Sequence, residues 1–156
     1  MHFIDTNIFL RFLTRDDPKE AEQCRALLYT ASEGRIKLYT TDLVFAELIW
    51  VLQSPKTYNL SPPEIRDLVI PLALIKGLSF PAKKFFLELM ELFVSYNVDF
   101  IDAYNTVIMH SRDIDLIYSY DSDFELLEDV TRKEPWAIQA RGFSKATIQN
   151  FSSIIL

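Results

Sequence analysis

Two rhythms of apolar and polar residues alternate along this chain. Short apolar runs of strand length give way to longer stretches in which apolar residues return every three or four positions. The first run is His2-Phe3-Ile4; it ends in Asp5-Thr6-Asn7, and Ile8-Phe9-Leu10 resumes an apolar pattern. Thr6 and Asn7 are helix-capping residue types, so the segment predicts a strand, a sharp turn and a helix from Thr6 to about Thr14. Arg15-Asp16-Asp17-Pro18 predicts a turn, and Pro18 to about Ser32 a helix with Ala21, Cys24, Leu27 and Leu28 at helical spacing and Gly34 as its C-cap. Ile36 to Thr40 alternates as a second strand would. Thr41 or Asp42 then caps a helix carrying Val44, Phe45, Leu48, Ile49 and Leu52.

Ser54-Pro55-Lys56-Thr57 breaks that helix, and Ser61-Pro62-Pro63-Glu64 opens the next with the composition of a capping box. Gly77 is expected to end it, and Leu78-Ser79-Phe80 to form a short third strand. Pro81 to about Tyr96 predicts a helix that buries Phe85, Phe86, Leu89, Met90, Phe93 and Val94, and a further helix spans about Ile101 to His110. Leu116 to Tyr120 has the character of a central strand ending at Asp121, and Val130 to Lys133 adds a last strand. Strands separated by helices over the whole length predict a three-layer α/β/α sandwich with a mostly parallel central sheet.

A chain of 156 residues suits one domain with a full core. Residues 1–135 form that domain in this reading. The tail from Trp136 to Leu156 has no acidic residue and ends in Ile154-Ile155-Leu156, so it is expected to pack on its own domain or on a dimer mate. The lone Cys24 excludes an intramolecular disulfide and fits a reducing compartment. No leader pattern and no apolar run of membrane-spanning length stands out, so a soluble cytoplasmic protein without a membrane partner is the expectation. A net charge of −6 disfavours nucleic-acid binding by the whole surface, yet an enzyme that gathers acids around divalent cations recovers its attraction for phosphate there.

Four acids stand out by position. Asp5 and Asp121 end predicted strands, so a parallel sheet brings both to its carboxyl edge, where ligands bind in open α/β sheets. Glu47 lies early in the helix after the second strand, and Asp102 in the first turn of its own helix. Packed together, such carboxylates repel one another and lose hydration; a hard cation such as Mg²⁺ or Mn²⁺ relieves both costs. With only His2 and His110 present, a histidine-built zinc centre is disfavoured. Taken singly, each acid reads first as a cap or a surface ion-pair partner. Asp123, beside Asp121, is either an auxiliary ligand or the N-cap before Phe124, and Asp99 reads as a cap.

At these residues the chain resembles a PIN domain, and most of all the toxin ribonucleases of VapC-type toxin–antitoxin pairs. The resemblance runs through Phe3-Ile4-Asp5-Thr6-Asn7-Ile8 with Arg11, Thr14-Arg15-Asp16-Asp17-Pro18, Phe45-Ala46-Glu47, Phe100-Ile101-Asp102-Ala103 and Ser119-Tyr120-Asp121-Ser122-Asp123-Phe124. It implies a Rossmann-like α/β/α sandwich and Mg²⁺- or Mn²⁺-dependent endonucleolytic cleavage of RNA. By the same resemblance Asp5, Glu47, Asp102 and Asp121 bind the metal, and Thr6 or Asn7 and Ser119 orient ligands or waters. It further implies a homodimer and an antitoxin that blocks the site. The tail after Pro135 and the acidic charge balance depart from that family pattern.

Arg11 and Arg15, four residues apart, can share a face and touch RNA phosphates, or pair with Asp16, Glu20 or Glu22. Tyr39, Tyr104, Tyr118 and Tyr120 can stack bases or serve as packing residues. Two other readings compete with the ribonuclease. One is a non-catalytic PIN-like binding module whose acidic pocket receives a basic partner segment. The other, an aspartyl-phosphate enzyme, wants a second aspartate two positions after Asp5, where Asn7 stands.

Overall fold

Strand β1 (His2–Phe3) lies beside β2 (Leu38–Tyr39), and β2 beside β3 (Leu78–Ser79), all parallel and in the order β1-β2-β3. The ladder runs past the strand ends: the amide of Ile4 donates to the carbonyl of Tyr39 at 3.0 Å, and that of Thr40 to Ser79 at 3.0 Å. Thr40 is fully buried, and its hydroxyl donates to the carbonyl of Ile4 at 2.9 Å. The backbone is thereby pinned one residue before Asp5. The computed structural model describes residues 1–135, which divide into a unit spanning Met1–Ile114 and a second that begins at Asp115. The tail from 136 to 156, and the packing role expected of it, lie outside the described residues.

Helices follow the predicted boundaries where local chemistry sets them. Helix α1 (Thr6–Thr14) starts at Asp5, whose carboxylate accepts from the amide of Asn7, and closes at Arg15 in a left-handed conformation. Helix α2 (Pro18–Ser32) has Pro18 in its first turn and Asp17 as a cap that accepts from the amides of Lys19 and Glu20. Helix α3 (Asp42–Gln53) follows β2, and α4 (Pro62–Ala73) opens on the capping box of Ser61 and Glu64. A 3₁₀ turn at Lys83–Phe85 leads into α5 (Phe86–Ser95), where one continuous helix was expected from Pro81. Instead of entering a helix at that point, the backbone turns so that Asp42 takes the amide of Ala82 at 2.9 Å. Phe86, Leu89, Met90 and Phe93 are buried as expected, whereas Phe85 and Val94 are only half-buried. Helix α6 (Phe100–His110) completes the unit.

The core between these elements is aromatic. Phe45, on α3, lies 5.4 Å from Phe9, 4.5 Å from Phe80 and 4.8 Å from Phe86, centroid to centroid. It is fully buried.

In the second unit β4 (Leu116–Tyr118) pairs in parallel with β5 (Thr131–Lys133) as a two-stranded sheet. Between them Ser122–Glu125 forms a 3₁₀ turn, anchored by buried Phe124 and Leu127. Strand β4 stops two residues short of the expected Tyr120 because Ser119 turns its side chain to the amide of Asp121 at 3.0 Å.

Gly77 does not end α4, which stops at Ala73. It is instead a point of close approach: a Cβ there would collide with the carbonyl oxygens of Ala31 and Ile36. Gly77→Ala is therefore expected to cost about 1–3 kcal/mol, the usual penalty for overpacking. Urea denaturation checks it, as a lowered midpoint with an unchanged slope.

Candidate functional site

Asp5 stands where β1 hands the chain to α1. Its Oδ1 accepts from the Asn7 amide at 3.2 Å, and its Oδ2 from the Asn7 side chain at 3.4 Å. The cap role and the exposure of the carboxylate coexist, since Asp5 remains open to solvent. The next residue, Thr6, is 5% exposed, and its hydroxyl donates to Glu47 Oε2. That bond joins positions 41 residues apart, one at the start of α1 and one on α3. The sequence left open whether Thr6 or Asn7 orients the acids; each engages a different one.

Glu47 is exposed in the second turn of α3, between buried Phe45 and Leu48. Asp102 is half-buried in the first turn of α6, where the Thr106 hydroxyl donates to its carbonyl at 2.9 Å. A residue that sequence reasoning treated only as a possible helix cap joins α3 to α6. Thr41 occupies the cap position of α3, which frees the Asp42 carboxylate: Oδ1 accepts from Ala82 and Oδ2 from the Tyr104 hydroxyl at 3.1 Å. Tyr104 thus bonds to Asp42, and the ring of Tyr39 lies 6.2 Å from that of Phe3. Asp99 caps α6 by position, without a side-chain cap bond.

The second unit presents Asp121 and Asp123 together. Asp121, and not Asp123, is the N-cap of the 3₁₀ turn, accepting from the Asp123 amide at 2.9 Å. That leaves the Asp123 side chain half-exposed in the first turn, and each aspartate offers a carboxylate oxygen within 4.8 Å of the other. The Ser119 hydroxyl accepts from the Asp121 amide, and Arg132 donates to the Ser119 carbonyl at 3.0 Å while pairing with Glu125. Tyr118 and Tyr120 are exposed.

Arg11 pairs with Asp16 and, at 2.9 Å, with Glu20, which holds the Asp16 carboxyl below its usual range. Arg15 takes the left-handed position that closes α1. All the acids offer oxygen donors alone, the set that hard divalent cations favour.

Parallel strands that run into helices at their carboxyl ends, with acids at those ends, define a Rossmann-like α/β class of protein. The PIN domain family profile matches residues 2–130, and the chain belongs to that family. The α/β sandwich expected from the sequence is its fold. PIN domains are generally metal-dependent nucleases. Among curated proteins none matches the chain. Among the described residues no helix is long and apolar enough to cross a membrane.

Burial, and then the Asp42 charge and hydrogen bond, push the Tyr104 hydroxyl above its ordinary pKa. The folded chain therefore keeps a proton that the unfolded chain releases above about pH 10. The stability that this proton supports is complete below that value and is lost as pH rises through the raised one. Tyr104→Phe is expected to show a shallower alkaline loss than the parent chain, measured by urea denaturation between about pH 8 and 11.

Proposed function

We propose that this chain is a Mg²⁺- or Mn²⁺-dependent endoribonuclease and the toxin of a toxin–antitoxin pair. In this reading Asp5, Glu47, Asp102 and Asp121 are the metal-holding acids, with Asp123 as an auxiliary ligand. The observation that carries the reading is the bond from Thr6 to Glu47, which ties the acid-bearing start of α1 to the acid on α3 across 41 residues. A carboxylate kept only to solubilise α3 has no need of a nearly buried hydroxyl. The family match supports the nuclease class, and its range, residues 2–130, includes all five acids.

The reaction is hydrolysis. A water oxygen bonds to phosphorus, the bond to the leaving ribose oxygen breaks, and that oxygen takes up a proton. A divalent cation, when bound, supplies Lewis acidity toward the phosphate and lowers the pKa of water. The side chains do the positioning. Thr6 occupies one oxygen of Glu47, and Asn7 engages Asp5, so each acid presents its remaining lone pairs in a fixed direction. Asp121 is held by its own cap bond and by Ser119.

The partners follow the same proposal: an RNA substrate, an antitoxin, a second copy of the chain, and a cytoplasmic setting. One feature of α3 also favours a protein partner at this face. Leu43 is 76% and Trp50 69% exposed, and with Glu47 they are spaced four and then three residues apart, on one side of the helix. Large apolar groups flanking an acid fit a basic amphipathic segment, whether it inhibits an active nuclease or is the sole ligand of a non-catalytic module.

Asparagine also caps helices, so Asp5→Asn preserves α1. Its Mn²⁺-stimulated RNA cleavage is expected to fall by more than about 100-fold, and that of Thr6→Val by roughly 10- to 100-fold. Circular dichroism melts should stay unchanged. Undiminished cleavage by Asp5→Asn overturns the assignment. Calorimetry separates the alternative: the nuclease takes up Mn²⁺ stoichiometrically and releases it to EDTA, which a pure binding module need not do.

A further inference from the structure

A second concave site lies in the first unit, at the other end of α1 from Asp5 and about 14 Å along that nine-residue helix. Phe12 from α1, Leu28 and Tyr29 from α2, and Pro71, Leu72 and Ile75 from α4 and the turn after it form its apolar walls. Its other lining residues are Arg15, Arg25 and Ser32, and the Ser32 hydroxyl donates to the carbonyl of Tyr29 at 2.7 Å. No carboxylate is among the described residues that line it. Its volume is about 340 Å³, within the roughly 300–1,000 Å³ of small-molecule sites.

We propose that this groove binds a small apolar carboxylic acid, with its hydrocarbon body against the α2 and α4 walls and its carboxylate on Arg15 and Arg25. Charge complementarity carries the choice of occupant. Arg25 donates to Glu22 through Nε and Nη2, both at 3.0 Å, which leaves Nη1 for a ligand. Arg15 makes no ion pair among the described residues. The two acids that follow it are engaged elsewhere: Asp16 by Arg11, and Asp17 by the amides of Lys19 and Glu20 that open α2. Glu22 feels both guanidiniums. The Arg25 hydrogen bond first, then the Arg25 charge, and least the Arg15 charge hold its carboxyl below the usual range. Two guanidiniums thus share one carboxylate beside an apolar groove, and a ligand carboxylate completes the set. A neutral apolar molecule leaves Arg15 unmatched, and a small hydrated anion leaves the apolar walls wet. An acid with a hydrocarbon body satisfies both. None of the five acids lines this groove, so the proposal is independent of the nuclease reading.

The test titrates the full chain with octanoate, octanol and octylamine, followed by amide NMR spectra. Octanoate is expected to shift residues of the groove and to bind about 10-fold more tightly than octanol, the difference that a charge-assisted hydrogen bond makes. Octylamine should bind least. From butyrate to octanoate the affinity should rise about fourfold per methylene, as burial of the body requires. Arg15 closes α1 at a φ of 54°, a left-handed conformation that asparagine takes readily. Arg15→Asn therefore keeps the turn and should bring octanoate down to the affinity of octanol. Glu22→Gln, which removes the competing carboxylate, should tighten octanoate by roughly 2- to 5-fold. Equal binding of the acid and the alcohol, an affinity indifferent to chain length, or octanoate binding that neither substitution alters overturns the proposal. A peptide of alternating Asp and Leu that binds this face where octanoate does not assigns it to a protein partner, and also overturns it.

Discussion

Helix α3 can offer an acid to solvent on one side only because Phe45 locks its other side. The Phe45 ring meets Phe9 from α1, Phe80 just beyond β3 and Phe86 at the start of α5. Rings in contact at such distances resist rotation, and close packing leaves no alternative seat for a side chain of that size. Two residues further on, roughly 200° around the helix, Glu47 must then point outward. The same Phe9 fixes α1, so the Thr6 hydroxyl and the Glu47 carboxylate meet because both helices are registered on one aromatic cluster. Positioning of the polar pair is thus a consequence of apolar packing. The hydrogen bond itself, between a nearly buried hydroxyl and an exposed acid, adds direction more than stability.

The bonds around the acids share one economy: each short polar residue serves two ends. Asp5 caps α1 and still faces solvent; Asp121 caps its 3₁₀ turn while sitting beside Asp123. An N-cap carboxylate is favoured by the partial positive charge of the helix start. Residues that begin helices after parallel strands are therefore suited to hold cations, without a dedicated scaffold.

Features set by near neighbours in the chain were legible beforehand. The Pro18 start and Ser32 end of α2, the capping box at Ser61, the strand–turn–helix at Asp5 and the third strand at Leu78 all depend on residues within a few positions of each other. What stayed hidden were pairings over long separations. Asp42 reads as an ordinary helix-start acid, yet it bridges to Ala82 and to Tyr104, 40 and 62 residues away. Gly77 reads as a helix terminator because glycine is common there; its actual reason is the approach of the Ala31 and Ile36 carbonyls. Asp121 and Asp123 are two residues apart, and either could have capped the turn; the backbone angle at Asp121 decided it. Likewise the phosphate-binding and ion-pair readings of Arg11 differ by nothing local, and the α1–α2 packing brings Glu20 into reach.

That ion pairing shapes the field around a chain with a net charge of −6. Arg11, Arg25, Arg66 and Arg132 all hold carboxylates of the same chain. Each pair places a guanidinium in a fixed orientation but cancels most of its long-range field. Arginines held this way attract an anion only weakly from a distance, while a fixed planar donor loses little entropy on binding at contact. Under the proposed nuclease reading, attraction for phosphate has to come from cations held at the acids.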